Sequence, residues 1–105
     1  MIRVSVFYPN GSEKTFDLDY FQQRHIPLAV ELLQPGGLIK AEVDQGVGTL
    51  PPGAPAPFAA AAHLYFPTVE AFQQAFAPHA EQLLGDIPNY TNIEPVLQIA
   101  EIVKE

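Results

Sequence analysis

FAAAAHLYFPTVEAFQQAFAPHAEQLLG, residues 58–85, sets a strand directly before a helix, and its reading decides the fold. Phe58 to Phe66 alternates as a strand, with Phe58, Ala60, Ala62, Leu64 and Phe66 on one face and Ala59, Ala61, His63 and Tyr65 on the other. Its alanines let a neighbouring layer come close. Pro67 ends the strand, Thr68 offers an N-cap, and Glu70 puts an acid in the first helical turn, where the helix dipole favours it. The period then changes. Val69, Phe72, Phe76, His79 and Leu83 stand at offsets 0, 3, 7, 10 and 14, one stripe of a helix. Gly85 reads as the residue just past that helix.

The first half of the chain repeats the pattern. Ile2, Val4, Val6 and Tyr8 face one way and Arg3, Ser5 and Phe7 the other, up to a Pro9-Asn10-Gly11 turn. Asp17 caps a helix whose stripe is Leu18, Phe21, His25, Leu28 and Leu32, and Pro35-Gly36-Gly37 stops it. Leu38 to Val47 is a second strand, frayed by Gly46 and Gly48. The Pro-rich stretch GTLPPGAPAP, residues 48–57, is a semi-extended connection, since neither flank alone could bury a core. After a loop over Asp86 to Asn92, Glu94 to Val103 is the last strand. Strand, helix, strand, twice over, with right-handed crossovers, predicts one α+β domain over residues 1–105. It is a ferredoxin-like βαββαβ unit, with an antiparallel four-stranded sheet and both helices on one face. A doubly wound parallel sheet would need more strands and a Gly-rich first turn.

That arrangement leaves one sheet face open. It would carry Ala59, Ala61, His63, Tyr65, Ser5, Phe7, Val96 and Gln98, too apolar for water and too polar for an ordinary core. A homodimer, sheet against sheet, is the simplest closure.

Composition narrows the partners. Twelve acidic residues against five scattered basic ones give a net charge of −7, and no basic stripe exists for a phosphate backbone, so nucleic acid is not expected. With no cysteine, disulfides and Cys-based metal sites are excluded. MIRVSVFY has no signal-peptide character and no apolar run approaches a membrane span, so the expected place is the cytoplasm, away from membranes. The N-x-[ST] matches at Asn10 and Asn89 then read as chance.

Three histidines could carry chemistry. His25 and His79 lie on the apolar stripes of their helices, each near a proline, Pro27 or Pro78, that frees a backbone carbonyl and kinks the axis. Two imidazoles over one sheet could converge on a pocket and move protons near neutral pH. Equally, each could be a core histidine bonded to a freed carbonyl. His63, out of phase with Leu64, should face the partner subunit, which puts a three-histidine metal site out of reach; no metal or cofactor motif is present. Asp86 and Tyr90 sit in the loop after the second helix, as mouth residues of a pocket or as a turn carboxylate and an edge plug. Neither Ser5 nor Ser12 has a nucleophile-elbow context.

Two stretches resemble a known family. VFYPNGSEKTFDLDYFQQRHIPL, residues 6–28, with Phe16, Asp19, Tyr20, His25, Pro27 and Leu28, is similar to the opening of EthD-domain proteins. AFQQAFAPHAEQLLGDIPNYTNIEPVLQIAEI, residues 71–102, is similar to their close, including Pro78-His79 and the loop from Asp86 to Thr91. The resemblance implies a dimeric α+β barrel, two ferredoxin-like subunits with their sheets face to face. It also implies a link to ether degradation and oxidoreductase-related labels. Wider relatives include cofactor-free monooxygenases, lactone isomerases and dehydratases of small oxygenated compounds. His25 matches the family's helix histidine and His79 its Pro-His pair.

The leading expectation is cofactor-independent acid–base or redox chemistry on a small oxygenated molecule. His25 and His79 would be catalytic, and Tyr20, Phe21, Phe76, Asp86 and Tyr90 would bind the ligand. The alternatives are a dimeric small-molecule carrier serving an oxygenase system and a purely structural accessory subunit.

Overall fold

The alternating N-terminal segment forms β1 (Ile2–Pro9) in a computed structural model that describes every residue from Met1 to Glu105. β2 (Lys40–Gln45), β3 (Phe58–Phe66) and β4 (Val96–Glu101) complete one sheet in the order β2-β3-β1-β4, antiparallel throughout. The two central strands are the apolar ones, and the charges Lys40, Glu42, Asp44 and Glu101 fall on the edges, where they discourage stray strand pairing. Both helical layers cover one face. This is the ferredoxin-like α+β fold.

Between β1 and β2 run α1 (Leu18–Tyr20), a π-helical turn over Phe21–His25, α2 (Ile26–Leu33) and a 3-10 turn over Gln34–Gly36. Between β3 and β4 run α3 (Val69–Phe76), a 3-10 turn over Ala77–His79, α4 (Ala80–Asp86) and a 3-10 turn over Ile87–Asn89. Asp17 and Thr68 cap as the sequence predicts, accepting from the backbone N–H of Tyr20 and Ala71. The layers meet closely at Gly36, where any Cβ would overlap that of Ala75.

The core has two parts. Ile2, Val4, Leu64 and Phe66 of the sheet pack on Ala29, Leu33, Phe72, Ala75 and Leu83. Tyr8, Ala60 and Ala62 pack on Phe21, Tyr90 and Ile93 at the other end.

Several boundaries differ from the sequence reading. In the first helix the buried positions after the π turn are Ala29 and Leu33, not Leu28 and Leu32. A π turn inserts one residue, so the stripe slips by one beyond it. Gly85 lies inside α4, and the chain stays helical or 3-10 as far as Asn89, so the expected loop is only its tail. β2 and β4 are each shorter than read. Phe58 departs from strict alternation: a register shift between Tyr8 and Pro9 turns its ring onto Phe7 (centroids 5.1 Å apart), on the open face.

On that open face Ser5 Oγ and His63 Nδ1 are 2.7 Å apart, and His63 Nε2 lies 3.0 Å from Asp44 Oδ2. Val96 and Gln98 pair with Phe7 and Ser5 in register, which puts them on this face. The Arg3 Nε is buried with no hydrogen-bond partner in the subunit. No helix is long and apolar enough to cross a membrane.

Candidate functional site

Pro27 shapes the first side of the site. It has no N–H to donate, and its ring crowds the carbonyl four residues back. The ladder ahead of it widens to an i to i+5 bond, from the Ile26 N–H to the Phe21 carbonyl. This turn carries Phe21 and His25 inward together, and His25 is only 8% exposed. The opposite side comes from the end of α4 and the segment after it. Asn92 Oδ1 accepts from the Thr15 N–H and its Nδ2 donates to the Glu13 carbonyl, while the Thr91 hydroxyl donates to the Thr15 carbonyl at 2.6 Å. The Asp17 N–H donates to the Tyr90 carbonyl. The two segments are thus stitched together beside the first helix.

The stitching brings Asp86 to His25. Asp86 Oδ2 lies 2.9 Å from His25 Nδ1, and Oδ1 accepts from the Tyr20 hydroxyl at 2.7 Å and from Asn89 Nδ2 at 2.9 Å. Burial alone would raise the Asp86 carboxyl, but the bonds from Asn89, His25 and Tyr20 outweigh it and hold it below its ordinary range. An ionised carboxylate only accepts, so Nδ1 carries the hydrogen. Nε2 then bears the lone pair and makes no bond within the protein.

Aromatic rings wall this end. Tyr90 sits 4.8 Å from His25, and Tyr8, Phe16, Phe21 and Tyr90 contact one another at centroid distances of 5.0 to 6.0 Å. The Tyr8 and Tyr90 hydroxyls are 2.6 Å apart and buried. Burial, and then the bond to Tyr8, pushes the Tyr90 phenol far above its ordinary value. Burial likewise raises Tyr8, against a smaller lowering by the bond from Tyr90.

A cavity of about 180 Å³ opens here between helices and sheet, lined by residues including Val6, Tyr8, Phe21, His25, Ala62, Phe76, Leu83 and Leu97. Every lining side chain other than Tyr8 and His25 is apolar. No group of three His, Asp or Glu side chains is arranged to hold a metal ion.

Of the residues singled out from the sequence, His25, Phe21 and Phe76 line the cavity. Asp86, Tyr20 and Tyr90 stand directly behind them. His79 does not join them. Pro78 sits in a 3-10 turn and His79 leaves helical geometry at φ −116°, ψ 3°, so the stripe phase is lost and the half-buried imidazole lies outside the lining. The expected convergence of two imidazoles is therefore absent. Tyr8 and Asn89 were missed. Tyr8 was visible only as an inward strand residue, and the one available signal was its phenol at the strand end beside the Pro9 turn.

The EthD domain model matches residues 9–94. An EthD-like protein from Ralstonia eutropha JMP134 shares 38% identity over 99% of this chain and 93% of its own, with a TM-score of 0.93. An ethyl tert-butyl ether degradation (EthD) family protein from Bacillus halodurans C-125 matches at 21% identity and TM-score 0.74, covering 96% of this chain and 97% of its own. A dimeric ferredoxin-like protein from an uncultured marine organism shares the fold at 12% identity and TM-score 0.57, over 100% of this chain and 97% of that one. No curated protein matches the chain.

Proposed function

The chain belongs to the EthD family, and from that premise we propose that it performs cofactor-free acid–base chemistry on a small oxygenated organic molecule held in the cavity. The observation that carries the reading is the His25–Asp86 pair set at the wall of a cavity whose other side chains, Tyr8 apart, are apolar. Asp86 fixes the tautomer and stabilises the imidazolium that forms. His25 Nε2 is the base, and an apolar surround strengthens every charge interaction in the step. Tyr20 and Asn89 hold the carboxylate, and Phe21, Phe76 and Tyr90 shape the walls. His79 stands outside the lining and has no assigned step.

A second copy of the chain completes the molecule in this reading, over the open sheet face. Val96 at 55% exposure, the Phe7–Phe58 pair and the unpartnered Arg3 Nε support that pairing. A buried guanidinium nitrogen without an acceptor is costly, and a partner carbonyl or carboxylate would satisfy it.

The test uses benzisoxazole, a neutral apolar carbon acid whose ring opens when a base removes its C–H proton, followed by absorbance. The wild type should accelerate opening, and His25→Ala should lose about 100-fold or more while keeping its fold by circular dichroism. Binding without acceleration would instead indicate the carrier reading. Equal rates for the two proteins would remove His25 from the chemistry.

A further inference from the structure

The cavity's second polar wall residue carries a consequence for the substrate, resting on the reading of His25 as the base. Tyr8 is 1% exposed and lines the cavity, with its hydroxyl oxygen 2.6 Å from that of Tyr90. Two hydroxyls hold two hydrogens, and one bond between them uses one. Neither oxygen has another partner in the protein, so one buried O–H is left without an acceptor. Leaving a buried donor unpaired costs as much as a lost hydrogen bond, so a cavity occupant bearing an oxygen is favoured. The free hydrogen belongs on Tyr8. Tyr8 lines the cavity and Tyr90 does not, so only with Tyr90 as the donor of the pair does the remaining O–H border a space where an acceptor can sit. Tyr8, which accepts from it and faces the cavity, keeps its own hydrogen for the ligand.

We infer that Tyr8, backed by Tyr90, donates a hydrogen bond to the carbonyl oxygen of a small neutral ketone whose adjacent C–H proton is removed by His25. Charge and size set the class. No Lys or Arg lines the cavity to pair an anion, and the Asp86 carboxylate behind His25 repels one. At about 30 Å³ per water, 180 Å³ is the room of about six waters, a molecule of roughly six to ten non-hydrogen atoms. In the step, His25 Nε2 takes the proton and the C–H electrons become a C=C bond. The carbonyl π electrons move onto oxygen, where the Tyr8 O–H stabilises the developing charge without giving up its proton. Nothing is oxidised or reduced. Return of a proton from the imidazolium regenerates a ketone.

Cyclohexanone in D2O tests this, with loss of its α-proton signal followed by NMR. The wild type should speed exchange. Tyr8→Phe keeps the ring and should lower the rate about 100-fold or more. Tyr90→Phe should fall between the two, and 4-oxocyclohexanecarboxylate should exchange far more slowly than cyclohexanone. Should wild type and Tyr8→Phe exchange at equal rates while His25→Ala is inactive, the Tyr8 inference is overturned and the base reading stands. Equal exchange by His25→Ala would sink both. No acceleration of cyclohexanone by wild type, with benzisoxazole still opened, would reject the ketone class alone. If Tyr8→Phe does not fold, the infrared carbonyl stretch of cyclohexanone bound to wild type decides. It should shift to lower frequency than in hexane, and an unshifted band overturns the assignment.

Discussion

Replacing Asp86 by Asn changes one oxygen to an amide nitrogen, yet it should disturb stability and histidine tautomer together. The carboxylate accepts from Tyr20 and Asn89 on one oxygen and pairs with His25 on the other. An amide has a single acceptor oxygen, so one side must fail. If that oxygen faces Tyr20 and Asn89, the amide N–H points at His25 Nδ1 and forces the hydrogen to Nε2, which removes the base's lone pair. If it faces His25, the amide N–H meets the Asn89 amide donor. Bonds to a charged acceptor contribute about 1.5–3 kcal/mol and neutral ones about 0.5–1.5. Solvent at the rim, where the Asp86 side chain is 14% exposed, trims the difference. The expected loss is about 1–3 kcal/mol, with each kcal/mol lowering Tm by about 4–8 °C in a domain this size. The sign with pH follows from the depressed carboxyl of Asp86. Its contribution is complete above the ordinary Asp value of about 3.9 and is lost as pH falls through the lower folded-state value. Urea unfolding of both proteins from pH 7 downwards should thus show a gap that closes as pH falls below about 4. Nitrogen-15 shifts of His25 should report Nδ1–H in wild type and a move toward Nε2–H in the variant. A gap that persists undiminished to the lowest accessible pH, or an Nε2–H tautomer in wild type, would refute the reasoning.

Phe21→Ala removes a fully buried ring in contact with Tyr8, Phe16 and Tyr90, and should cost about 3–5 kcal/mol in urea unfolding. Gly36→Ala drives a methyl into Ala75 where the helical layers touch, and should destabilise by about 1–3 kcal/mol by the same measurement. Val96→Glu places a charge on the open sheet face at an exposed edge-strand site, so the subunit should still fold. If two copies pair there as proposed, the light-scattering mass should fall from that of a dimer to that of a single chain. An unchanged dimer mass would move the interface elsewhere.

Strand and helix order was legible because periodicity reports burial directly: β1 and β3 alternate, and the helices carry stripes. What escaped was phase across the proline breaks. Pro27 and Pro78 both read as kinks in the sequence, and the two produce different outcomes. At Pro27 the ladder widened by one residue, which kept Phe21 and His25 inward and passed the error on to Leu28 and Leu32. At Pro78 the turn tightened instead, and His79 itself was displaced. A helical wheel cannot distinguish these cases, because each is settled by what the freed carbonyls and the next turn find to bond with. The sequence puts Asp86 in a loop for a related reason. Gly85 signals a helix end by its backbone freedom, but its surroundings leave room for any side chain and impose no left-handed turn, so α4 runs one residue past it. That extra helical residue is Asp86 itself, which the helix end aims at His25. The pairing of the two depends on a helix end and a π turn meeting across 61 residues of chain. The Tyr8–Tyr90 bond spans 82 residues. Local sequence thus named most members of the site, and only the tertiary stitching through Asn92, Thr91 and Asp17 set which of them share hydrogens.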